Sequence, residues 1–231
     1  MHQKQVYLFD LDGTLTEPGE GITNSVMYAL DKFGIHETDR TALYRFIGPP
    51  LLDSFTQFYG MPPEQAEQAV SAYREYFSTK GLFENRVYEG IPALLQELRD
   101  QGKTLVLATS KPEVFTLRIL EKFDLTRYFH HIGAASLDSS RSQKADVIRH
   151  ALHLCGNPSP ETVVMIGDRW HDIHGARANG IQSIGVLYGY GDRPELEQAG
   201  ADVIVQSVAQ LQEILLREYD GTFSFRFGLN H

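Results

Sequence analysis

Hydrophobic positions along this chain come in two rhythms. Short unbroken apolar runs, rich in β-branched and aromatic residues, occupy 6–9, 104–108, 163–166 and 183–187, with weaker runs at 131–134 and 203–205. Runs this short and this uniformly apolar read as strands buried on both faces. Between them the apolar positions recur every three or four residues: at Leu94, Leu95 and Leu98, within 113–123 and 144–153, at Ile173, Ala176 and Ala178, and within 195–199 and 208–218. That is the spacing of one helix face. Strand, helix, strand units joined by short loops predict a doubly wound parallel α/β sheet.

Residues 17–84 break the alternation. Glu17-Pro-Gly-Glu-Gly21 reads as a polar turn; a helix is expected to start at Thr23 or Asn24 and to stop at Gly34. Helical spacing returns at 42–46, 52–59 and 63–79, separated by Gly48-Pro49-Pro50 and Gly60-Met-Pro-Pro63. The expected organisation is an α/β core of residues 1–16 and 85–231 with a small all-helical insert, 17–84, after the first strand. The tail 222–231, rich in Phe and Gly, has no readable pattern.

Composition changes the picture mainly by exclusion. A formal charge of −9 argues against a nucleic-acid or anionic-membrane surface acting through bulk charge. Cys155 is the sole cysteine, which rules out an internal disulfide and a Cys-based zinc site and fits a reducing, cytoplasmic compartment. No apolar stretch approaches the roughly 18 residues of a membrane span, and Met1-His-Gln-Lys4 does not open a signal-peptide pattern.

The polar residues that end the strands carry the candidate chemistry. Val6-Tyr-Leu-Phe-Asp10-Leu-Asp12-Gly13-Thr14 stops at one carboxylate and adds a second two residues on; the run at 104–108 ends in Thr109-Ser110-Lys-Pro112, and the run at 163–166 in Gly167-Asp168-Arg-Trp-His-Asp172. In a parallel sheet these ends share one edge, where ligands bind, and Lys144 opens a helix after a polar loop on that edge. Carboxylates so close repel unless they share a cation, and hard oxygen ligands suit magnesium. With magnesium among Asp10, Asp12 and Asp168, the edge becomes a phosphate receptor, with Lys144 and the Thr109 hydroxyl as further donors. One carboxylate can then attack phosphorus, and another two residues away can serve as acid and base.

Taken singly, each feature has a plainer reading. Asp-x-Asp-Gly-Thr can be turn chemistry alone, Asp168 and Asp172 a solvated first helical turn, Lys144 a surface lysine, and His171 and His174 with Trp170 exposed helix residues. A calcium loop fails, because the twelfth position from Asp10 is Gly21 rather than Glu. Gly189-Tyr-Gly191 lacks the third glycine of a dinucleotide fingerprint, and no phosphate loop ends in Gly-Lys-Ser/Thr. What favours chemistry is order and placement: every candidate follows a strand or opens a helix on one edge.

In that order the residues resemble the haloacid dehalogenase superfamily. Phe9-Asp10-Leu-Asp12-Gly13-Thr14 is similar to its first motif, Leu107-Ala-Thr109-Ser110-Lys-Pro112 to its second, Lys144 in Ser142-Gln-Lys-Ala-Asp146 to its lysine, and Ile166-Gly-Asp168-Arg-Trp-His-Asp172 to its fourth. The resemblance implies a Rossmann-like core, Asp10 as nucleophile and Asp12 as general acid and base. Thr109 and Lys144 would bind phosphate, with a magnesium ion at Asp10, Asp12, Asp168 and Asp172; at Asp12 the contact is through the backbone carbonyl. The insert resembles the helical cap of the phosphoglycolate phosphatase-like branch. Its loop Gly48-Pro49-Pro50 would face substrate, alongside Gly13, Thr14 and Ser110. Many relatives follow the lysine with Pro; here Ala145 stands there. The implied partner is a small phosphorylated metabolite such as phosphoglycolate or a nucleoside monophosphate, acted on by a monomer or homodimer. A phosphomutase of the same fold and a phosphate-sensing module without turnover are the alternatives; a halide-releasing enzyme would have no use for Asp12 or a metal.

Overall fold

The computed structural model describes residues 4–138 and 140–217. The unreadable tail therefore lies outside the described residues. Strand β1 (Val6–Phe9) is followed by the two-residue β2 (Thr16–Glu17) and helix α1 (Gly19–Asp31). A 3₁₀ helix (Thr41–Phe46), α2 (Leu51–Tyr59), α3 (Pro63–Tyr76) and a π-helical turn (Phe77–Gly81) lead to β3 (Arg86–Val87), which pairs antiparallel with β2. Then come α4 (Ile91–Asp100), β4 (Thr104–Pro112), α5 (Glu113–Lys122), β5 (His131–Ala135) and α6 (Lys144–Leu154). The described chain closes with β6 (Val163–Gly167), α7 (Trp170–Ala178), β7 (Gln182–Val186), α8 (Arg193–Ala199), β8 (Val203–Val205) and α9 (Val208–Arg217).

Six strands form one parallel sheet in the order β5-β4-β1-β6-β7-β8. The chain winds outward from β1 to β5, then returns to the other side of β1 to lay down β6, β7 and β8. Winding direction therefore reverses between β1 and β6, and a crevice opens beyond their carboxyl ends. The four residues of β1 show why its sequence is uninterrupted: Tyr7 and Phe9 enter the core on one face, and Val6 and Leu8 enter the core on the other. The same alternation divides Leu105 and Leu107 from Val106 and Ala108, and Val164 and Ile166 from Val163 and Met165. Each Val, Leu, Ile, Phe or Met among them, taken fully from water, contributes about 1.5–3 kcal/mol. The edge that carries the site thus stands on a rigid floor.

Two expectations need correction. The segment read as a turn starts α1 four residues early, at Gly19, and its first residue belongs to β2. A Cβ at Gly21 would stand 1.9 Å from the Gly81 carbonyl, so this glycine serves close packing of α1 on the π-helical turn rather than chain reversal. The second strand also runs on through Ser110 and Lys111 to Pro112, with a register shift against β5 beyond Thr109. Among the described residues no helix is long and apolar enough to cross a membrane.

Candidate active site

The β-ladder itself delivers the first carboxylate. Phe9 lies beside Leu107 and Ile166 in register, and the Asp10 amide continues the ladder by donating to the Ile166 carbonyl at 2.9 Å. Asp10 is thereby fixed one step short of Asp168 on the neighbouring strand end. Asp172 comes from the first turn of α7, where its Oδ2 accepts from the Arg169 amide at 3.1 Å and closes the helix N-terminus as a cap. Asp10, Asp168 and Asp172 each bring an oxygen within 4.8 Å of the others, and all three are buried.

Lys144, at the mouth of α6, fills the gap beneath them. Its Nζ lies 2.7 Å from Asp10 Oδ1, 2.7 Å from Asp172 Oδ1 and 3.1 Å from the Ala108 carbonyl. The ammonium therefore stands between two carboxylates and donates to a strand-end carbonyl. Lys144 thus ties Asp10 to Asp172 from the start of α6. Burial alone would lower its pKa, but Asp10 and Asp172 more than offset that and hold it charged, above the usual lysine range.

The second acid stands apart from this cluster. Asp12 Oδ2 pairs with Lys111 Nζ at 2.8 Å, and Asp12 Oδ1 has no hydrogen-bond partner among the described residues. Lys111 also stands over the Phe77 ring, 4.5 Å from its centroid. Its importance was missed although the residue lay inside the quoted motif. The strand is irregular beyond Thr109, and Ser110 and Lys111 both face the cavity there, so simple alternation does not pick the lysine out.

Electrostatically the cluster is unbalanced. Three carboxylates against one ammonium leave two formal negative charges in a buried space. Burial, then the charges of Asp172 and Asp10, push the Asp168 carboxyl well above the ordinary range. Burial also raises Asp10 against the opposing pull of Lys144, and raises Asp12 against that of Lys111. Asp168 Oδ2 accepts from the Tyr190 amide at 2.8 Å, while its Oδ1 is buried without a hydrogen-bond partner. An orphan oxygen, three converging hard donors and a charge deficit of two fit a divalent cation of the magnesium type.

A cavity of about 180 Å³ opens over this edge. Asp10, Asp12, Thr109, Ser110 and Lys111 line it from the sheet side, and Gly48, Pro49 and Pro50 line it from the opposite side. Gly13 and Thr14 do not reach it: Gly13 backs onto the Asp168 carboxylate, and Thr14 is fully buried. Trp170 stacks on His171 outside the cavity, and burial with the nearby Arg169 charge pushes the His171 imidazole down to about 3.

Comparison with known proteins agrees with this arrangement. The family described as haloacid dehalogenase-like hydrolase matches residues 7–186, which span β1 to β7 and hence every station above. The chain belongs to the haloacid dehalogenase-like hydrolases. Within them it is a phosphoric monoester hydrolase. A 5'-nucleotidase of Pseudomonas aeruginosa is 48% identical over 208 residues, 90% of this chain and 94% of that one. The tyrosine-protein kinase PtkA of Mycobacterium tuberculosis is 38% identical over 213 residues, 91% of this chain and 72% of that one. The crystal structure of a predicted phosphatase from Clostridium acetobutylicum superposes with a TM-score of 0.91 at 50% identity, covering 94% of this chain and all of the other. As a haloacid dehalogenase-like hydrolase, the chain carries Asp10, Asp12, Thr109, Lys144, Asp168 and Asp172 within the matched residues.

Proposed function

We propose that this chain hydrolyses small phosphate monoesters, nucleoside 5'-monophosphates in particular, through an aspartyl-phosphate on Asp10. The reading is carried by one observation: Asp10 lines the cavity while its Oδ1 is held from below by Lys144. A carboxylate so fixed is a nucleophile already in position. Bound magnesium, held by Asp10, Asp168 and Asp172 with the Asp12 carbonyl, would neutralise the carboxylates and polarise a phosphoryl oxygen.

Asp10 attacks phosphorus, the ester P–O bond breaks, and Asp12 gives its proton to the leaving alkoxide. The raised affinity of Asp12 for a proton, set by burial, suits that acid role. Asp12 then takes a proton from water, whose oxygen attacks phosphorus and breaks the bond to Asp10. Thr109 and Ser110 are within the same cavity to hold the remaining phosphoryl oxygens. Residues 17–84 act as the cap, moving about the β2 and β3 segments to exclude water during transfer.

Two features support a nucleoside monophosphate over a phosphoglycolate-like ester. Phe46, Tyr73, Phe77 and Phe115 give the cavity an aromatic lining suited to a flat leaving group, and the Pseudomonas relative is named a 5'-nucleotidase. The kinase name of the mycobacterial relative favours one second reading, in which the phosphoryl group passes from Asp10 to another hydroxyl instead of water. The test is hydrolysis of p-nitrophenyl phosphate, 5'-monophosphates and phosphoglycolate with magnesium and then with EDTA, by wild type and Asp10→Asn. Equal rates for the two proteins reject the mechanism. Inorganic phosphate released in step with ester consumed rejects transfer to another hydroxyl.

A further inference from the structure

Arg169 directly follows Asp168 and has no part in the steps above, yet its guanidinium joins two distant parts of the chain. Nε donates to Glu195 Oε1 at 2.8 Å, and the same oxygen accepts from the Trp170 amide at 2.9 Å, so Glu195 on α8 braces the turn that carries Asp168. Nη1 donates to the Ile47 carbonyl at 2.5 Å, across 122 residues of sequence. Ile47 immediately precedes Gly48-Pro49-Pro50, the loop that faces the catalytic edge across the cavity.

The packing around this bond is specific to it. Gly48 adopts φ +107, and a Cβ there would stand 3.2 Å from Arg169 Cγ, so the loop backbone rests on the aliphatic stem of the arginine with no side chain between. The next two residues are prolines, which fix their own φ and offer no N–H for an alternative anchor. The arginine side chain is only 13% exposed, which shields its two bonds from water. A guanidinium fork can hold two acceptors in different directions at once, and a lysine cannot reproduce that geometry.

We infer that Arg169 is a positioning residue that seats the cap loop 48–50 on the turn bearing Asp168, and so sets how the leaving group is recognised. The loop meets the leaving group, whereas the phosphoryl group meets the sheet edge. Loss of Arg169 therefore acts on leaving-group recognition and loop order, and far less on the transfer step. The kinetic part of this inference rests on the phosphatase reading; the structural part does not.

Hydrogen–deuterium exchange across residues 44–54 and steady-state kinetics on a 5'-monophosphate and p-nitrophenyl phosphate together test it, using wild type, Arg169→Gln, Arg169→Lys and Gly48→Ala. Arg169→Gln should raise exchange across 44–54 by about tenfold, as expected when a shielded hydrogen bond to a charged group is lost. KM for the 5'-monophosphate should rise by about tenfold while kcat changes by less than about threefold, the pattern of lost binding rather than lost transition-state contact. The p-nitrophenyl ester, with little leaving group to reach the loop, should lose less. Arg169→Lys should recover only part of the loss, and Gly48→Ala should reproduce it from the cap side. Unchanged exchange in Arg169→Gln, or equal losses on both esters confined to kcat, overturns the inference. If wild type turned over neither ester, the phosphatase reading would fail, and the exchange comparison would still decide whether Arg169 seats the loop.

Discussion

The two walls of the cavity are built on opposite principles. On the sheet side, Asp10 and Asp12 line the cavity and Asp168, Asp172 and Lys144 stand behind them; all five are nearly inaccessible to water and are fixed by strand register, a helix cap and ion pairs. On the cap side, Phe46, Gly48, Pro49, Pro50 and Leu52 offer shape and apolar surface, with Asp53 and Arg74 as the charged exceptions. Charge that must develop in a transition state needs preorganised partners on rigid elements. Selection among leaving groups needs only a surface that fits. The difference teaches that reaction and substrate are specified by separate regions, and that they should fail separately.

The largest expected effect breaks the sheet side alone. Asp10→Asn should lower turnover of every monoester by about 10³-fold or more, since a nucleophile is lost and not merely a contact; matched progress curves on two unlike esters check this. A loss confined to one ester would dissolve the distinction between the walls. Next comes Lys144→Met. Removing one partner of a buried ion pair leaves carboxylates uncompensated and costs about 3–5 kcal/mol, or a thermal midpoint lowered by roughly 10 °C in a chain of this size. Thermal unfolding in EDTA measures it, and magnesium should restore part of the loss.

The cap side should respond more mildly. Leu52 is 39% exposed and lines the cavity, so Leu52→Ala should change KM between esters by about two- to tenfold, consistent with one trimmed apolar contact, with kcat on p-nitrophenyl phosphate nearly unaltered. The smallest effect comes from a control remote from both walls. His130 Nδ1 accepts from the Leu105 amide at 3.1 Å near the opposite end of β4, and burial followed by the Arg99 charge holds its pKa below the usual histidine range. The unfolded chain then takes up a proton at higher pH than the folded one, so stability falls as pH drops through about 6.5. Denaturant unfolding at pH 7 and pH 5.5 should show that slope in wild type and a shallower one in His130→Asn, with the pH profile of turnover the same in both.

The division between the walls also explains what was legible in the sequence. β1, β4 and β6 are buried on both faces, so their apolar runs are unbroken and the residues that stop them, Asp10, Thr109 and Asp168, announce the edge without any structure. Lys144 could be placed on that edge from its position at a helix start, but its contact with Asp10 and Asp172 depends on how α6 packs, which spacing does not reveal. Local preference also gave way to tertiary packing in α1, where Gly19 and Gly21 signal a turn and instead allow close approach, Gly19 to the Tyr190 hydroxyl and Gly21 to the π-helical turn. The partners of Lys111 and Arg169 lie 99 and 122 residues away in the sequence for Asp12 and Ile47 respectively. Neither pairing has a local signature.

The account stands or falls on phosphorus becoming bonded to the first carboxylate of the edge. Rapid acid quench of wild type and Asp12→Asn during turnover of p-nitrophenyl phosphate with magnesium, followed by peptide mass spectrometry, measures this directly. One phosphoryl group per chain on Asp10, accumulating further in Asp12→Asn because the base for the second step is gone, is the predicted result. Phosphate on a different residue, or no phosphoenzyme in Asp12→Asn while ester is still cleaved, would contradict it.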